Sequence, residues 1–175
     1  MLNFHRLAQN IAVGPLLASI ARRPDLWDAD KLRTLFENSP HAQAQDIILR
    51  FGKPDINDLY PCEDRSAMAL LGAKSIALSV MQLAGGSELG RVLVTRLCPG
   101  KRILPHADEG AYSERFDRYH VCLQSLPGVT FRCGGEKISP ASGELWWFRN
   151  GLEHEIVNNS ADDRITMIID VRIDP

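Results

Sequence analysis

Apolar and polar positions follow two different rhythms on either side of about residue 90. In the stretch 66–83, Ala67, Leu70, Leu71, Ala73, Ala77, Leu78, Val80 and Met81 form a broad apolar face, the recurrence expected of a helix. The spacing predicts a helix from Ser66 to Leu83, capped by Asp64 and stopped by Gly85-Gly86. An amphipathic helix is predicted to start near Pro15 and end by Arg22-Arg23, where basic side chains suit the negative end of the helix dipole. Asp28 to Phe36 reads as a short capped helix halted by Asn38-Ser39-Pro40, and Gln45 to Phe51, with Ile47-Ile48-Leu49 at its centre, is compatible with a strand ended by Gly52-Lys53-Pro54.

From Arg91 onward the pattern shortens to strand-length runs. Val92–Leu97, Tyr119–Leu123, Val129–Cys133, Leu145–Phe148 and Ile165–Val171 are such runs, with turns at Pro99-Gly100, Pro127-Gly128, Gly134-Gly135 and Pro140 to Gly143. Several short strands at close spacing predict a sandwich or barrel, and helices followed by strands predict an α+β layout. The expectation is a jelly roll with N-terminal helices buttressing one sheet. No repeat, low-complexity tract or linker interrupts the chain. It is read as one domain over 1–175, with 1–90 mainly helical support and 91–173 the β core.

Composition narrows the function classes. The 175 residues suffice for one domain with a full core, and 45% apolar with 24% charged residues is ordinary for a globular protein. A net charge of -2 argues against a general nucleic-acid binder, and none is expected as a partner. No apolar run approaches the roughly 20 residues of a membrane span, so no membrane association is expected. Ile11 to Ala21 is apolar enough for a signal-peptide core, but Gly14 and Pro15 favour the helix. Cys62, Cys98, Cys122 and Cys133 form no CxxC pair, which argues against a zinc ribbon or thioredoxin-like motif. Cys122 and Cys133 fall in strand-like runs and read as buried thiols. Nothing demands an oxidising compartment, and a cytoplasmic location is expected. Asn158-Asn159-Ser160 matches a glycosylation sequon but reads as a polar turn.

The candidate chemistry lies in the second half. In an extended segment, His106 and Asp108 point the same way because residues two apart share a strand face. With His154 from a neighbouring strand they would supply two imidazoles and a carboxylate to one side of a metal, leaving the other side open, as in non-haem Fe(II) oxygenases. Arg164 follows His154 by ten residues and opens a buried-strand pattern. A guanidinium there is placed to meet an acid co-substrate in a two-pronged geometry. Arg118 and His120 form a second same-face pair, with Val121 and Leu123 then facing the other layer. The pair is either the polar exterior of a strand or part of the same pocket. Thr95 is a candidate hydroxyl donor. Trp146, Trp147 and Phe148 read as core, and His5 and His41 as solvated or capping residues.

These features resemble the aspartyl/asparaginyl β-hydroxylase family of Fe(II)- and 2-oxoglutarate-dependent dioxygenases. The resemblance runs from about Arg91 to Ile173. It rests on Pro105-His106-Ala107-Asp108, Arg118-Tyr119-His120, Gly143 followed by Phe148, Glu153-His154-Glu155, and Arg164 leading into Asp170-Val171. It implies a cupin-like double-stranded β-helix, with Fe(II) held by His106, Asp108 and His154. It implies that Arg164 pairs with the far carboxylate of 2-oxoglutarate, that Arg118 and His120 help hold the co-substrate, and that Thr95 matches a small hydroxyl residue. Some animal members carry glycine where Asp108 stands. The carboxylate here implies a three-residue site and disfavours a halogenase, which needs that position vacated.

The activity implied is O2-dependent hydroxylation of a C–H bond, with 2-oxoglutarate converted to succinate and carbon dioxide. The substrate is expected to be a free amino acid or an Asp/Asn-type side chain in a peptide or protein. Arg96, Arg102, Arg115 and Arg149 flank the site segments, either as substrate-carboxylate receivers or as ordinary surface charge. The oligomeric state stays open. The rival readings are a non-catalytic cupin-like metal- or ligand-binding protein and a zinc hydrolase, neither of which needs a carboxylate clamp at Arg164.

Overall fold

Two antiparallel sheets face one another in the computed structural model of the protein, which describes residues 2–31, 33, 38–52 and 61–174. In chain order the elements are β1 (Phe4–Ala8), α1 (Gly14–Ala21), β2 (Gln45–Phe51), β3 (Glu63–Asp64), α2 (Ala73–Leu83), β4 (Glu88–Leu97) and β5 (Arg102–His106). They continue with α3 (Ala111–Arg115), β6 (Asp117–Gln124), β7 (Val129–Cys133), β8 (Glu136–Ile138), β9 (Leu145–Phe148), β10 (His154–Asn158) and β11 (Arg164–Arg172). The larger sheet runs β1-β9-β6-β11-β4-β2-β3 and the smaller β5-β10-β7-β8. This is the jelly roll expected from the second half of the sequence.

The central strand β11 explains how the sheets become a site. Its odd positions, Ile165, Met167, Ile169 and Val171, join the core under α1 and α2 with Leu16, Ile20, Ile76 and Val80. By alternation its even positions, Arg164, Thr166, Ile168 and Asp170, turn to the other face, toward the smaller sheet. Both faces are buried. Its apolar rhythm therefore belongs to the helix-covered side, and three of its four inward residues are polar. A second core of Phe4, Leu97, Ile103, Phe131, Phe148 and Ile156 fills the space between the sheets.

The first ninety residues depart from the helical expectation. Besides α1 and α2 they supply to the larger sheet β1, β3 and β2, the last with the bounds read for it from the sequence. The β1 segment FHRLA lacks strict alternation, so only its pairing with β9 identifies it. The predicted Ser66–Leu83 helix is divided into a single 3₁₀ turn at Ser66–Ala69 and α2. The break is Gly72, whose φ of +90 lies in the left-handed region that glycine tolerates. Asp64 caps neither piece; its carboxylate accepts from Arg50 at 2.7 Å and Lys74 at 3.3 Å. The Gly85-Gly86 stop holds, with the Gly86 amide returning to the Met81 carbonyl at 2.9 Å.

The Ile11–Ala21 stretch carries α1, and its Leu16 and Ile20 are buried in the main core. Of the helix predicted over 28–36, residues 32 and 34–36 lie outside the described residues, as do 53 and 54 of the turn expected after β2. Asp28 itself holds the start of β2, accepting from the Asp46 amide and the Gln45 side chain, both at 3.0 Å. No helix among the described residues is long and apolar enough to cross a membrane.

The β9 entry depends on Gly143. Its amide donates to the Cys122 carbonyl at 2.8 Å and its carbonyl accepts from Ile11 at 3.0 Å. At φ +83, with the Ile11 carbonyl 3.3 Å from where a Cβ would stand, a larger residue is strained there. Asn158 is wholly buried and cannot carry a glycan in the folded chain. It donates to the Leu97 and Asp162 carbonyls at 2.7 and 2.9 Å and accepts from the Ser160 hydroxyl and amide, which closes the turn from β10 to β11.

Candidate functional site

His106 ends β5 and His154 begins β10, and the two are register partners. Their rings lie 4.3 Å apart between centroids. Each Nδ1 faces the carbonyl two residues earlier on its own chain, Leu104 at 2.7 Å and Leu152 at 2.9 Å. A carbonyl only accepts, so each Nδ1 carries the ring proton and each Nε2 presents its lone pair. This is the device that orients metal-binding imidazoles. The His106 Nε2 is buried with no partner. Burial holds the His154 imidazole down at about 4, which keeps it neutral.

Asp108 lies two residues past β5 and completes the group. One potential ligand atom each from His106, Asp108 and His154 falls within 4.8 Å of the others. The Asp108 Oδ1 is 3.9 Å from His106 Nε2, while Oδ2 accepts from Arg118 Nη1 at 2.7 Å and Asn150 Nδ2 at 3.3 Å. Burial raises the Asp108 carboxyl, but Arg118, His154, His106 and the Asn150 hydrogen bond together outweigh it and leave the group below the usual carboxylate range. The donor set, two imidazole nitrogens and one carboxylate oxygen, fits a divalent first-row metal such as Fe(II).

A pocket between the sheets connects this group to β6 and β11. Arg118, His120 and Arg164 all line it with His106 and His154. The same-face reading of Arg118 and His120 therefore places them inward, with Val121 and Leu123 in the helix-side core. His120 stacks on Phe131 at 5.3 Å and leans on Phe148 at 4.9 Å. Both of its ring nitrogens are buried without partners, and burial with the nearby Arg164 pushes its pKa well down.

Arg164 is 2% exposed, its Nε has no partner, and no carboxylate among the described residues pairs with it. Burial pushes its pKa down to about 10. The Thr166 hydroxyl, on the same face of β11, is also buried and unpartnered. Unsatisfied buried groups cost about 1–3 kcal/mol each, more when charged. An isolated charge and the two His120 nitrogens line one pocket, with the Thr166 hydroxyl on Arg164's face of β11, a set of groups that suits an anion.

Arg118 is spent differently. Its Nε and Nη2 grip Asp170 at 2.8 and 3.0 Å, and its third nitrogen holds Asp108. Burial lowers its pKa, but Asp170 and Asp108 more than reverse that. Thr95 stands behind the pocket: its hydroxyl donates to Asp46 at 2.7 Å and accepts from Arg33 at 3.2 Å. None of Arg96, Arg102, Arg115 and Arg149 lines the pocket; Arg96 bonds Gln45 and Arg115 bonds Glu88.

His41, Arg33, Phe148 and Thr166 were not singled out from the sequence as site residues. His41, expected to be solvated or capping, lines the pocket and meets His106 edge-on at 4.8 Å, with Arg33 beside it at 2.9 Å. Burial, then Arg33, pushes its pKa strongly down. No pattern in the sequence marks either residue. Phe148, read as core, is both core and pocket wall. Thr166 did carry a signal, since it shares Arg164's face by simple alternation.

Residues 65–173, more than half of the chain, match the protein-family model described as Aspartyl/Asparaginyl beta-hydroxylase. Among solved structures, a Pseudomonas putida prolyl-4-hydroxylase is similar with a TM-score of 0.58 at 13% identity, over 99% of this chain and 94% of the other. A Burkholderia pseudomallei oxidoreductase of the 2OG-Fe(II) oxygenase family is similar with a TM-score of 0.57 at 13% identity, over 93% and 92%. At such identities these likenesses establish the shared fold. A search of curated proteins by sequence found no match.

Proposed function

The chain belongs to the aspartyl/asparaginyl β-hydroxylase family, and from that premise we propose that it is an Fe(II)- and 2-oxoglutarate-dependent dioxygenase. Its substrate on this reading is a free amino acid or an Asp/Asn-type side chain in a peptide or protein. The observation that carries the proposal is Arg164, a buried guanidinium without a carboxylate partner among the described residues, in the pocket that holds His106 and His154.

His106, Asp108 and His154 would hold the iron, and their fixed tautomers and the single outward-facing Asp108 oxygen leave it open positions. Arg164, with Thr166 and His120, would bind the far carboxylate of 2-oxoglutarate. Thr95 acts from behind, through Asp46 and Arg33, and Arg118 acts from the pocket wall on Asp108. Phe131, Phe148 and Ile103 exclude water from the space between the sheets. When bound, iron, 2-oxoglutarate and O2 supply the oxidation that places a hydroxyl on an unactivated carbon, with succinate and carbon dioxide as by-products. The four unpaired cysteines, three of them buried, suit a reducing compartment and hence a cytoplasmic location.

The test is succinate formation from 2-oxoglutarate with Fe(II) and O2, first alone and then across amino acids and short peptides. Succinate that requires both iron and an intact Arg164 supports the reading. Failure of 2-oxoglutarate to bind the metal-loaded protein would sink it, and a cupin-like binding protein would be the better description.

A further inference from the structure

We propose that Asp170 and Arg118 are positioning residues that set the carboxylate ligand of this metal site. The inference rests on the metal reading given above. It starts from a difference between the three candidate ligands. His106 and His154 sit on paired strands and are oriented by their own backbone. Asp108 lies beyond the end of β5, outside any ladder. Its backbone amide reaches the Asn150 carbonyl at 2.9 Å, but its side chain must take its direction from elsewhere.

That direction comes from the larger sheet. Asp170 on β11 and Arg118 on β6 are register partners at the centre of that sheet. Asp170 is 1% exposed, and Arg118 meets it through Nε and Nη2 together. A two-pronged contact fixes the plane of the guanidinium, which a single contact does not. With the plane fixed, Nη1 projects onto Asp108 Oδ2 at 2.7 Å. Oδ2 is then occupied by Arg118 and Asn150, and Oδ1 is left on the side of His106. The chain Asp170–Arg118–Asp108 thus carries the rigidity of two central strands to a loop residue and selects which oxygen is offered.

Charge supports the same assignment. One guanidinium lies between two carboxylates here, so the trio is already anionic and has no surplus positive charge for an acid co-substrate. Arg164 has that surplus. Asp170, two positions beyond Ile168, belongs to no part of the pocket lining, and a buried carboxylate there has no other evident task.

The experiment is a double-mutant cycle read by Co(II) affinity and by the Co(II) absorption spectrum on the full chain, with no turnover involved. Asp170→Asn keeps shape and removes charge. Supporting residues of metal ligands typically contribute about 10–100-fold to affinity, and a loss of about that size is expected with Asp108 present. In an Asp108→Ala background the same substitution should change affinity less than about twofold, because it acts through the missing carboxylate. Equal losses in both backgrounds, or no loss in the first, overturn the proposal. Should Asp170→Asn not fold, Arg118→Lys takes its place in the cycle with the same expected pattern, since lysine lacks the fork. His106→Ala separates the two readings. If it leaves Co(II) binding intact, the metal site itself is wrong. If it abolishes binding while Asp170→Asn has no effect, only the positioning role is wrong.

Discussion

His106 and His154 face each other as register partners, and each gives its Nδ1 proton to a carbonyl two residues back along its own chain. The symmetry means that neither imidazole needs a side chain to select its tautomer. Replacement of either by alanine is expected to abolish Fe(II) retention, measured by metal analysis after desalting, and to stop succinate formation. Full iron content in either variant would remove that residue from the ligand set. Asp108→Ala should be severe as well, with a residual two-histidine site the most that survives.

Arg164 yields a prediction in which stability and function move in opposite directions. Replacing a buried charge by an apolar residue of similar volume is often neutral or stabilising by roughly 1–4 kcal/mol. Arg164→Met is therefore expected to melt at or above the wild-type temperature without ligand, yet to lose 2-oxoglutarate binding. Removing one partner of a buried charged pair costs about 3–5 kcal/mol, so Arg164→Ala should weaken the co-substrate by about 10²–10⁴-fold. Arg164→Lys should recover only part, for want of the fork. Calorimetry with and without 2-oxoglutarate reads all three. A large drop in melting temperature for Arg164→Met would show a structural partner instead.

Thr166 and His120 should behave as lesser members of the set that includes Arg164. A hydrogen bond to a charged group contributes about 1.5–3 kcal/mol, so Thr166→Val is expected to weaken 2-oxoglutarate by about ten- to a hundredfold. His120→Phe keeps the stacking against Phe131 while removing both ring nitrogens. It should weaken the co-substrate without lowering the melting temperature. Metal affinity should be unchanged in both variants, and a parallel loss of metal would argue for a general distortion of the pocket.

Asn158 is expected to be a stability residue. Asn158→Ala leaves the Leu97 and Asp162 carbonyls and the Ser160 hydroxyl and amide without their shared partner. Unsatisfied buried groups cost about 1–3 kcal/mol each, and relaxation of the turn should hold the total to about 2–4 kcal/mol. Urea unfolding measures this. A loss below 1 kcal/mol (a small fraction of ordinary domain stability) would mean that water replaces the side chain.

Much of the β core was readable because its strands are short and punctuated. Val129–Cys133 and Leu145–Phe148 have the bounds expected from their Gly and Pro neighbours. His106, Asp108, His154 and Arg164 were legible as chemistry because their residue types are costly to bury without a purpose. The N-terminal half was less readable for physical reasons. Strand β1 is five residues long, and its membership of the sheet is a property of its partner β9. The division of the 66–83 helix turns on one glycine whose backbone angle no periodicity reveals.

Sequence alone determined which residues share a face. Alternation on β6 and β11 is local geometry, so Arg118 with His120, and Arg164 with Thr166 and Asp170, follow from spacing. What alternation cannot decide is which face looks inward and what meets it there, since that depends on strands far away in the chain. The packing of the smaller sheet over β6 and β11 made Arg118 the partner of Asp170 and Asp108 and left Arg164 without a carboxylate among the described residues. The two arginines are alike in sequence. Their different roles come from long-range contacts, because the availability of a buried guanidinium depends on which carboxylates the fold brings within hydrogen-bonding distance.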